Sequence, residues 1–186
     1  MNFELQFRHF WFFSELTHVE TEEKREVVHF QFISWPDYGV PDSALSMLTF
    51  LQRVREKQNE MTGALFATQN WKGHELGPPM VIHCSAGIGR TGTLATLGTF
   101  KNWVFWNWWI LKFFLSISDM AIRKFEATGK VDIRAIVEQI RSQRAFSIQM
   151  PDQYVFCHLA FLEYVLNMEY VEEIDLTGFD DDVDSD

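Results

Sequence analysis

The chain has 186 residues, enough for one domain with a hydrophobic core, and its 47% hydrophobic and 23% charged residues are typical of a soluble globular protein. Eight of its 26 acidic residues lie in residues 172–186, so the rest of the chain carries 18 acidic against 16 basic residues and is close to neutral. A nearly neutral body lacks the basic face on which nucleic acids bind, and we therefore exclude a nucleic-acid-binding protein.

The N-terminal region is predicted to contain one strand. Residues 1–16 are rich in Phe but lack the basic region, apolar run and cleavage site of a signal peptide, so we predict none. Residues 27–32 (VVHFQF) are typical of a β-strand, and they end just before the turn-rich sequence SWPDYGVPDS.

A helix is predicted directly after this turn. Asp42 and Ser43 suit a helix start, and apolar residues then recur at helical spacing as far as about Lys57. Residues 58–79 are polar and contain several Gly and Pro, so we predict a surface loop there. The residues that define the apolar face of the helix are Leu45, Leu48, Leu51 and Val54.

The central region combines a short strand, a glycine-rich turn and a Trp-rich stretch. Residues 80–83 (MVIH) are predicted as a buried strand that leads into CSAGIGRTG and then into a helix from about Thr91. Farther along, 12 of the 15 residues from Trp103 to Ile117 are apolar or aromatic.

Two amphipathic helices are predicted near the C-terminus. Asp132 suits the N-cap of the first, and the second extends from about Asp152 to Glu169. The final residues, GFDDDVDSD, are predicted to be disordered because acidic residues dominate them. The alternation of strands and helices predicts an α/β (α+β-like) fold in which helices flank a mixed sheet. The first helix would bury Ile133, Ile136, Val137 and Ile140.

The segment HCSAGIGRTG, residues 83–92, has the features of a phosphate-binding loop. Glycines allow successive backbone N–H groups to turn toward one oxyanion, and the following helix N-terminus adds positive potential. A thiol in such a place should have a pKa below about 8.5, which makes Cys84 a candidate nucleophile. An isolated cysteine would more simply be a core residue. The predicted phosphate-binding residues of the loop are Ser85, Ala86, Gly87, Ile88, Gly89 and Arg90.

Two side chains after the glycines complete this chemistry. Arg90 lies six residues after Cys84, and its planar guanidinium can bind two phosphoryl oxygens at once, which a lysine cannot do. Thr91 can place its hydroxyl near the sulfur and stabilise the thiolate as a leaving group. His83 precedes the nucleophile and is interpreted as a brace for the loop or as a core histidine.

HCSAGIGRTGT resembles the signature loop of the phosphotyrosine-specific protein tyrosine phosphatases. SWPDYGVP at 34–41 resembles the mobile acid-bearing loop of that family, and QRAFSIQMPDQY at 143–154 resembles the loop whose glutamines hold the hydrolytic water. Within the family, the chain is most similar to the non-receptor type 9, or megakaryocyte, subgroup. The resemblance implies a cysteine-phosphatase fold.

The resemblance also implies residue roles. It makes Asp37 the general acid, although an aspartate in this context would otherwise be interpreted as a turn residue. It makes Gln149 and Gln153 the residues that hold the water, and Cys84 the residue that forms a phosphocysteine intermediate. The implied substrates are proteins that contain phosphotyrosine.

The resemblance divides the chain into three parts. It covers residues 17–171 as a partial phosphatase domain, with residues 1–16 as an atypical N-terminal segment and residues 172–186 as an acidic tail. The N-terminal part of the family domain, including a loop whose Tyr lines the phosphotyrosine cleft, has no counterpart before Val27. We therefore expect a fold that is incomplete at the N-terminus and exposes apolar surface.

Residues 102–124 interrupt the resemblance as a Trp-rich insertion. Three interpretations remain open: a retained non-coding segment in the gene model, a surface insertion that binds a partner, or a membrane anchor. The apolar stretch is shorter than the ~20 residues of a membrane-spanning helix, so membrane contact is the least favoured of the three.

The sequence thus predicts a protein tyrosine phosphatase. The alternative is a truncated fragment that is inactive, or that binds phosphotyrosine without turnover. No cofactor or metal is expected, because the six histidines are scattered along the chain. We expect a cytoplasmic monomer, since a thiolate enzyme requires a reducing compartment.

Overall fold

The computed structural model describes residues 9–37, 39–68, 80–98, 103–104 and 121–172. Helices and strands both occur in these ranges, so the predicted mixed class is confirmed. The elements are β1 (His9–Thr17), β2 (Lys24–Phe32), α1 (Ala44–Ala67), β3 (Met80–Val81), α2 (Gly89–Leu97), β4 (Trp103–Val104), α3 (Ala121–Thr128), α4 (Ile133–Gln143) and α5 (Pro151–Asn167).

The described strands form one antiparallel and one parallel pair. β1 and β2 are antiparallel, in a register that places His9 opposite Phe32 and Thr17 opposite Lys24. β3 and β4 are parallel over two residues each. The hairpin carries aromatic residues on both of its faces, so β1 has no alternation of apolar and polar residues. For that reason the sequence predicted no strand in this segment.

The core lies among the helices. α5 packs against α1, α2 and α3, and α2 also packs against α3 and α4. The N-cap of α4 is as predicted, because the Asp132 carboxylate accepts a hydrogen bond of 2.9 Å from the Ala135 amide. The predicted apolar face of α4 is also confirmed: Ile133, Ile136, Val137 and Ile140 are all buried.

The predicted boundaries of two elements were wrong. α1 continues to Ala67, whereas residues 58–67 were predicted as loop. Its last buried residue is Val54, so the extension is a solvated helix without the apolar periodicity that sequence analysis detects. β3 ends at Val81, which is 56% exposed, so the predicted buried strand over 80–83 is shorter and more open than expected.

Two further observations concern predictions at the edges of the described ranges. α3 was not predicted, because its first residues fall in the 102–124 insertion. Most of the 102–124 insertion, the start of the 1–16 segment and most of the acidic tail lie outside the described residues. Among the residues that are described, no helix is both long and apolar enough to cross a membrane.

Candidate functional site

Cys84 lies in the loop between β3 and α2. The loop turns sharply at Gly87, whose φ of 71° is in the left-handed region that favours glycine. This turn directs the Gly87 amide at the Cys84 sulfur, over a nitrogen-to-sulfur distance of 3.2 Å. α2 begins two residues later, at Gly89, so the free amides of its first turn lie next to the same sulfur.

The environment of Cys84 favours the thiolate. Burial alone would raise the pKa of Cys84, but hydrogen bonds from the Thr91 hydroxyl and from the amides of Thr91, Gly87 and Ile88 outweigh it, so the pKa of Cys84 is lowered. The Thr91 hydroxyl is buried and makes no hydrogen bond of regular geometry within the described part of the chain, so it is available to the sulfur. Lowering the pKa of a cysteine increases the fraction that is nucleophilic at neutral pH.

Arg90 connects the Cys84 loop with the loop that carries Asp37. Its Nη2 donates hydrogen bonds to the carbonyl oxygens of Pro36, at 2.8 Å, and of Asp37, at 3.2 Å. The same nitrogen lies 3.8 Å from the Asp37 carboxylate, whose side chain is 98% exposed. Nε and Nη1 of Arg90 bond to no described residue, so they are free to bind an anion.

The loop that carries Asp37 is anchored on both sides of that residue. Trp35 is buried and packs against Phe32 and Phe156, with ring centroids 6.5 and 6.2 Å away. Its indole N–H donates to the carbonyl of Gly39 at 3.1 Å, and Gly39 has a φ of 81°. The loop is therefore closed on itself around a buried tryptophan, which leaves Asp37 at its outer surface.

Gln153 joins the Gln149 loop to the Cys84 loop. Its Oε1 accepts hydrogen bonds from the amides of Gln149, at 3.0 Å, and of Met150, at 3.3 Å. Gln153 is buried, and a Cβ at position 89 would lie 3.0 Å from its Nε2, so Gly89 permits this close approach. The side chain of Gln149 is exposed. The structure therefore places Gln153 beneath the Cys84 loop, in contact with Gln149, the other glutamine that was predicted to hold water.

Two arginines of this site were missed by the sequence analysis. Arg144 donates from Nε to the Gly87 carbonyl, at 2.8 Å, and from Nη2 to the Ala86 carbonyl, at 3.3 Å. Arg141 donates to the carbonyls of Ser147 and Ile148, each at 2.8 Å. Nothing in their spacing distinguishes them from surface arginines; the only signal is their position beside the segment that contains Gln149.

The second cysteine is a core residue. Cys157 is completely buried, and burial raises its pKa to about 12 despite a hydrogen bond with Thr96. Both cysteines are free thiols. Among the residues that the structure describes, no group of three or more His, Cys, Asp or Glu is placed to hold a metal ion.

The arrangement is suited to a dianionic phosphate ester. Backbone amides and the Thr91 hydroxyl converge on Cys84, and Arg90 supplies positive charge at the same loop. Amide donors and a guanidinium bind phosphoryl oxygens, while a lowered cysteine pKa provides a sulfur nucleophile for the phosphorus. Asp37 is the carboxyl group next to this loop that can exchange protons with a bound ligand.

Comparisons with known proteins agree with this chemistry. The chain is 43% identical over 150 residues to "Tyrosine-protein phosphatase non-receptor type 9" of Rattus norvegicus, and 42% identical over 150 residues to the protein of that name in Homo sapiens. Each alignment covers 81% of this chain but 21% of the relative. "Tyrosine phosphatase H2" of Microplitis demolitor bracovirus is 34% identical over 145 residues, which cover 78% of this chain and 38% of that protein.

The family model for protein-tyrosine phosphatase matches residues 7–102 and 113–163. The gap between the two matched ranges falls within the Trp-rich stretch. The match includes both the Cys84 loop and the Gln149 loop, and the identities fit the type 9 subgroup. Since the two ranges together cover well over half of its length, this chain belongs to the protein-tyrosine phosphatase family.

Proposed function

We propose that the chain hydrolyses phosphotyrosine in proteins, with Cys84 as its nucleophile. The observation that carries this proposal is the lowered pKa of Cys84 inside a loop of converging amides. The names of the relatives, which are tyrosine phosphatases, support phosphotyrosine as the substrate class. The chain spans about a fifth of the length of its type 9 relatives, and the activity is proposed for this chain alone.

In the first half-reaction the Cys84 thiolate attacks the phosphorus. The sulfur–phosphorus bond forms as the bond between phosphorus and the tyrosine oxygen breaks, and Asp37 protonates the departing oxygen. Tyrosine has a pKa of about 10, so a positioned acid accelerates this departure by roughly 100- to 10,000-fold. The exposed carboxyl group of Asp37 is accessible to a substrate that enters from solvent.

In the second half-reaction water attacks the phosphocysteine. Asp37, now ionised, accepts a proton from the water, the phosphorus–sulfur bond breaks, and the Cys84 thiolate leaves with inorganic phosphate as the product. Gln149 orients this water. The Thr91 hydroxyl stabilises the leaving thiolate, because its hydrogen bond to the sulfur favours the charged form. The two steps balance with water alone, so the reaction calls for no cofactor.

During both steps the loop from Ser85 to Gly89 and Arg90 hold the phosphoryl group. Arg90 uses the donors that are not bonded to the Asp37 loop, so that one side chain can bind the phosphate and hold the acid nearby. Gln153 supports the Gln149 loop from below. We further propose that the chain acts in the reducing cytoplasm, because its nucleophile must remain a free thiol.

The test is release of phosphate from a phosphotyrosine peptide by the purified chain. We expect turnover at roughly 1 to 1,000 per second, and none with Cys84→Ser. A chain that binds the peptide but releases no more phosphate than Cys84→Ser would contradict the proposal and support the alternative of a binding fragment. Calorimetric titration of Cys84→Ser with the same peptide measures that binding separately.

A further inference from the structure

Two arginines at the C-terminal end of α4 bind two different loops. Arg141 lies in the last turn of the helix, and Arg144 is the C-cap residue that directly follows it. Each guanidinium donates to two consecutive backbone carbonyls: Arg141 to the Gln149 loop and Arg144 to the Cys84 loop. The two side chains therefore repeat one geometry on two segments of the candidate site.

Arg144 binds the carbonyl oxygens of two peptide groups whose N–H groups point at the Cys84 sulfur. A trans peptide directs its C=O and its N–H in opposite directions. Arg144 binds the carbonyl of Ala86, and the amide of that same peptide, on Gly87, donates to the Cys84 sulfur. It also binds the carbonyl of Gly87, and the amide of that peptide, on Ile88, also lowers the Cys84 pKa.

Arg141 fixes the neighbouring loop in the same manner. It binds the carbonyl of Ser147, and the amide of that peptide, on Ile148, donates to the Ile88 carbonyl at 3.0 Å. It also binds the carbonyl of Ile148, and the amide of that peptide, on Gln149, donates to Gln153. Both peptide groups before Gln149 are thus bonded at both ends.

The backbone at Ile148 shows why such a brace is needed. Ile148 is buried and has a φ of 61°, a conformation that costs a β-branched residue more than most others. Without its partners this residue would relax toward negative φ and rotate the following peptide. The Gln149 side chain would then move away from the Cys84 loop.

We propose that Arg144 and Arg141 are positioning residues that serve different half-reactions: Arg144 aligns the amides around Cys84 for nucleophilic attack, and Arg141 aligns Gln149 for hydrolysis of the phosphocysteine. This inference rests on the proposed phosphatase function. A lysine cannot replace either arginine, because one ammonium group does not bind two consecutive carbonyls in a fixed fork.

For Arg144 the test is the rate of alkylation of Cys84 by iodoacetamide as a function of pH. In Arg144→Gln, and also in Arg144→Lys, we expect the midpoint of the dependence of the alkylation rate on pH to rise by roughly one pH unit. Such a rise is a tenfold change in the ionisation constant of Cys84. A loss of packing alone would not move this midpoint in a folded protein. If Arg144→Gln fails to fold, Arg144→Lys carries the test, because it retains the charge and the stem.

For Arg141 the test is a stopped-flow measurement with p-nitrophenyl phosphate. We expect Arg141→Gln and Arg141→Lys to form p-nitrophenol in a burst at the wild-type rate, followed by steady turnover that is slowed roughly tenfold, since misplacement of a reacting group costs at least this much. Added alcohol should compete with water for the intermediate more successfully than in the wild type. Arg141→Lys carries the test if Arg141→Gln does not fold.

The matched control is Arg134→Gln. Arg134 lies on the same helix, is 82% exposed and pairs with Glu138 on that helix. It should leave the alkylation midpoint, the burst and the steady rate unchanged. The proposal is wrong if Arg144 variants keep the wild-type midpoint, or if Arg141 variants slow the burst and the steady rate equally. If the wild type itself shows no burst and no lowered midpoint, the phosphatase function has failed instead.

Discussion

The Thr91 hydroxyl is buried, and its interaction with the Cys84 sulfur is the largest of the contributions that lower the Cys84 pKa. A buried hydroxyl without a partner destabilises a fold, so its position is best explained by a charged sulfur. The Thr91 hydroxyl therefore affects Cys84 in two ways: it favours ionisation of the thiol, and it stabilises the thiolate that leaves the intermediate.

Thr91→Val, which removes the hydroxyl and keeps the shape, should raise the pKa of Cys84. The thiolate is lost as pH falls through its pKa, so the acid limb of kcat/KM should move to higher pH in the variant. We expect the acid limb to move by roughly one pH unit, which corresponds to a tenfold change in the ionisation constant of Cys84. The measurement is kcat/KM for a phosphotyrosine peptide between pH 4 and pH 8.

Thr91→Ser keeps the hydroxyl and serves as the control, with an acid limb close to that of the wild type. An acid limb that is the same in Thr91→Val and in the wild type would show that the hydroxyl does not bear on the ionisation of Cys84.

At the scale of elements, α2 and the Gln149 loop are in backbone contact at Gly92. A Cβ at this position would lie 2.5 Å from the Ile148 amide nitrogen, and the Ser147 backbone is also close. Neither neighbour is the end of a flexible side chain, so the contact cannot relax by rotation of a side chain. The approach of the two segments depends on this glycine.

Gly92→Ala should therefore destabilise the protein by about 1–3 kcal/mol, as overpacked sites do, and should reduce turnover by displacing Gln149. Gly63→Ala is the opposite case: Gly63 lies in α1 with nothing within 4 Å of the added Cβ, and the change should stabilise by about 0.5–1 kcal/mol. Urea unfolding of the two variants measures both effects. Equal midpoints for the two variants would contradict the described packing.

The N-cap of α4 offers a separate test of an element. Asp132→Ala removes the carboxylate that accepts from the Ala135 amide, and should cost about 1 kcal/mol in the free energy of unfolding. Asp132→Asn, which retains an acceptor, should cost much less. Thermal unfolding followed by circular dichroism measures the difference, and an Ala variant as stable as the Asn variant would show that the cap contributes nothing.

The elements also show what sequence could predict. α4 was predicted because a good N-cap and four apolar residues at helical spacing are local signals. The second half of α1 was not predicted, because no apolar side chain beyond Val54 is fully buried and no apolar periodicity results; its Gly63 also suggested a loop. β1 was missed because apolar residues on both faces of a hairpin remove the alternation that marks a strand.

At the scale of the whole molecule, the β1–β2 hairpin exposes apolar surface. Trp11, Phe12, Phe13 and Leu16 of β1 are all exposed by 45% or more. Such a surface favours self-association. Leu16 lies opposite Arg25, seven residues along β2 from Phe32, which contacts Trp35 of the Asp37 loop, so association and turnover can be changed independently at Leu16.

Leu16→Lys should reduce concentration-dependent association, because it places a charge on a residue that is 59% exposed. Turnover per mole should stay at the wild-type value. Light scattering over a dilution series measures association, and Leu16→Ile controls for a change of shape without a change of charge. If Leu16→Lys associates as strongly as Leu16→Ile, the chain does not self-associate through this face of the hairpin.

The site could be predicted only as far as its signals are local. Cys84, Arg90 and Thr91 occur in one continuous loop, so their spacing alone indicated the chemistry. The bond from Arg144 to Gly87 joins residues that are 57 positions apart, and no spacing rule connects them. Such contacts follow from how α2, α4 and α5 pack, which a pattern of residues does not specify.

The covalent role of Cys84 can be tested by rapid acid quenching of the chain during turnover of a phosphotyrosine peptide that carries radiolabelled phosphate, followed by peptide mapping. Label should appear on the peptide that contains Cys84, at a stoichiometry that rises in Arg141→Gln because hydrolysis of the intermediate is slowed. Turnover without label on Cys84, or label on another residue, would contradict nucleophilic catalysis by this cysteine.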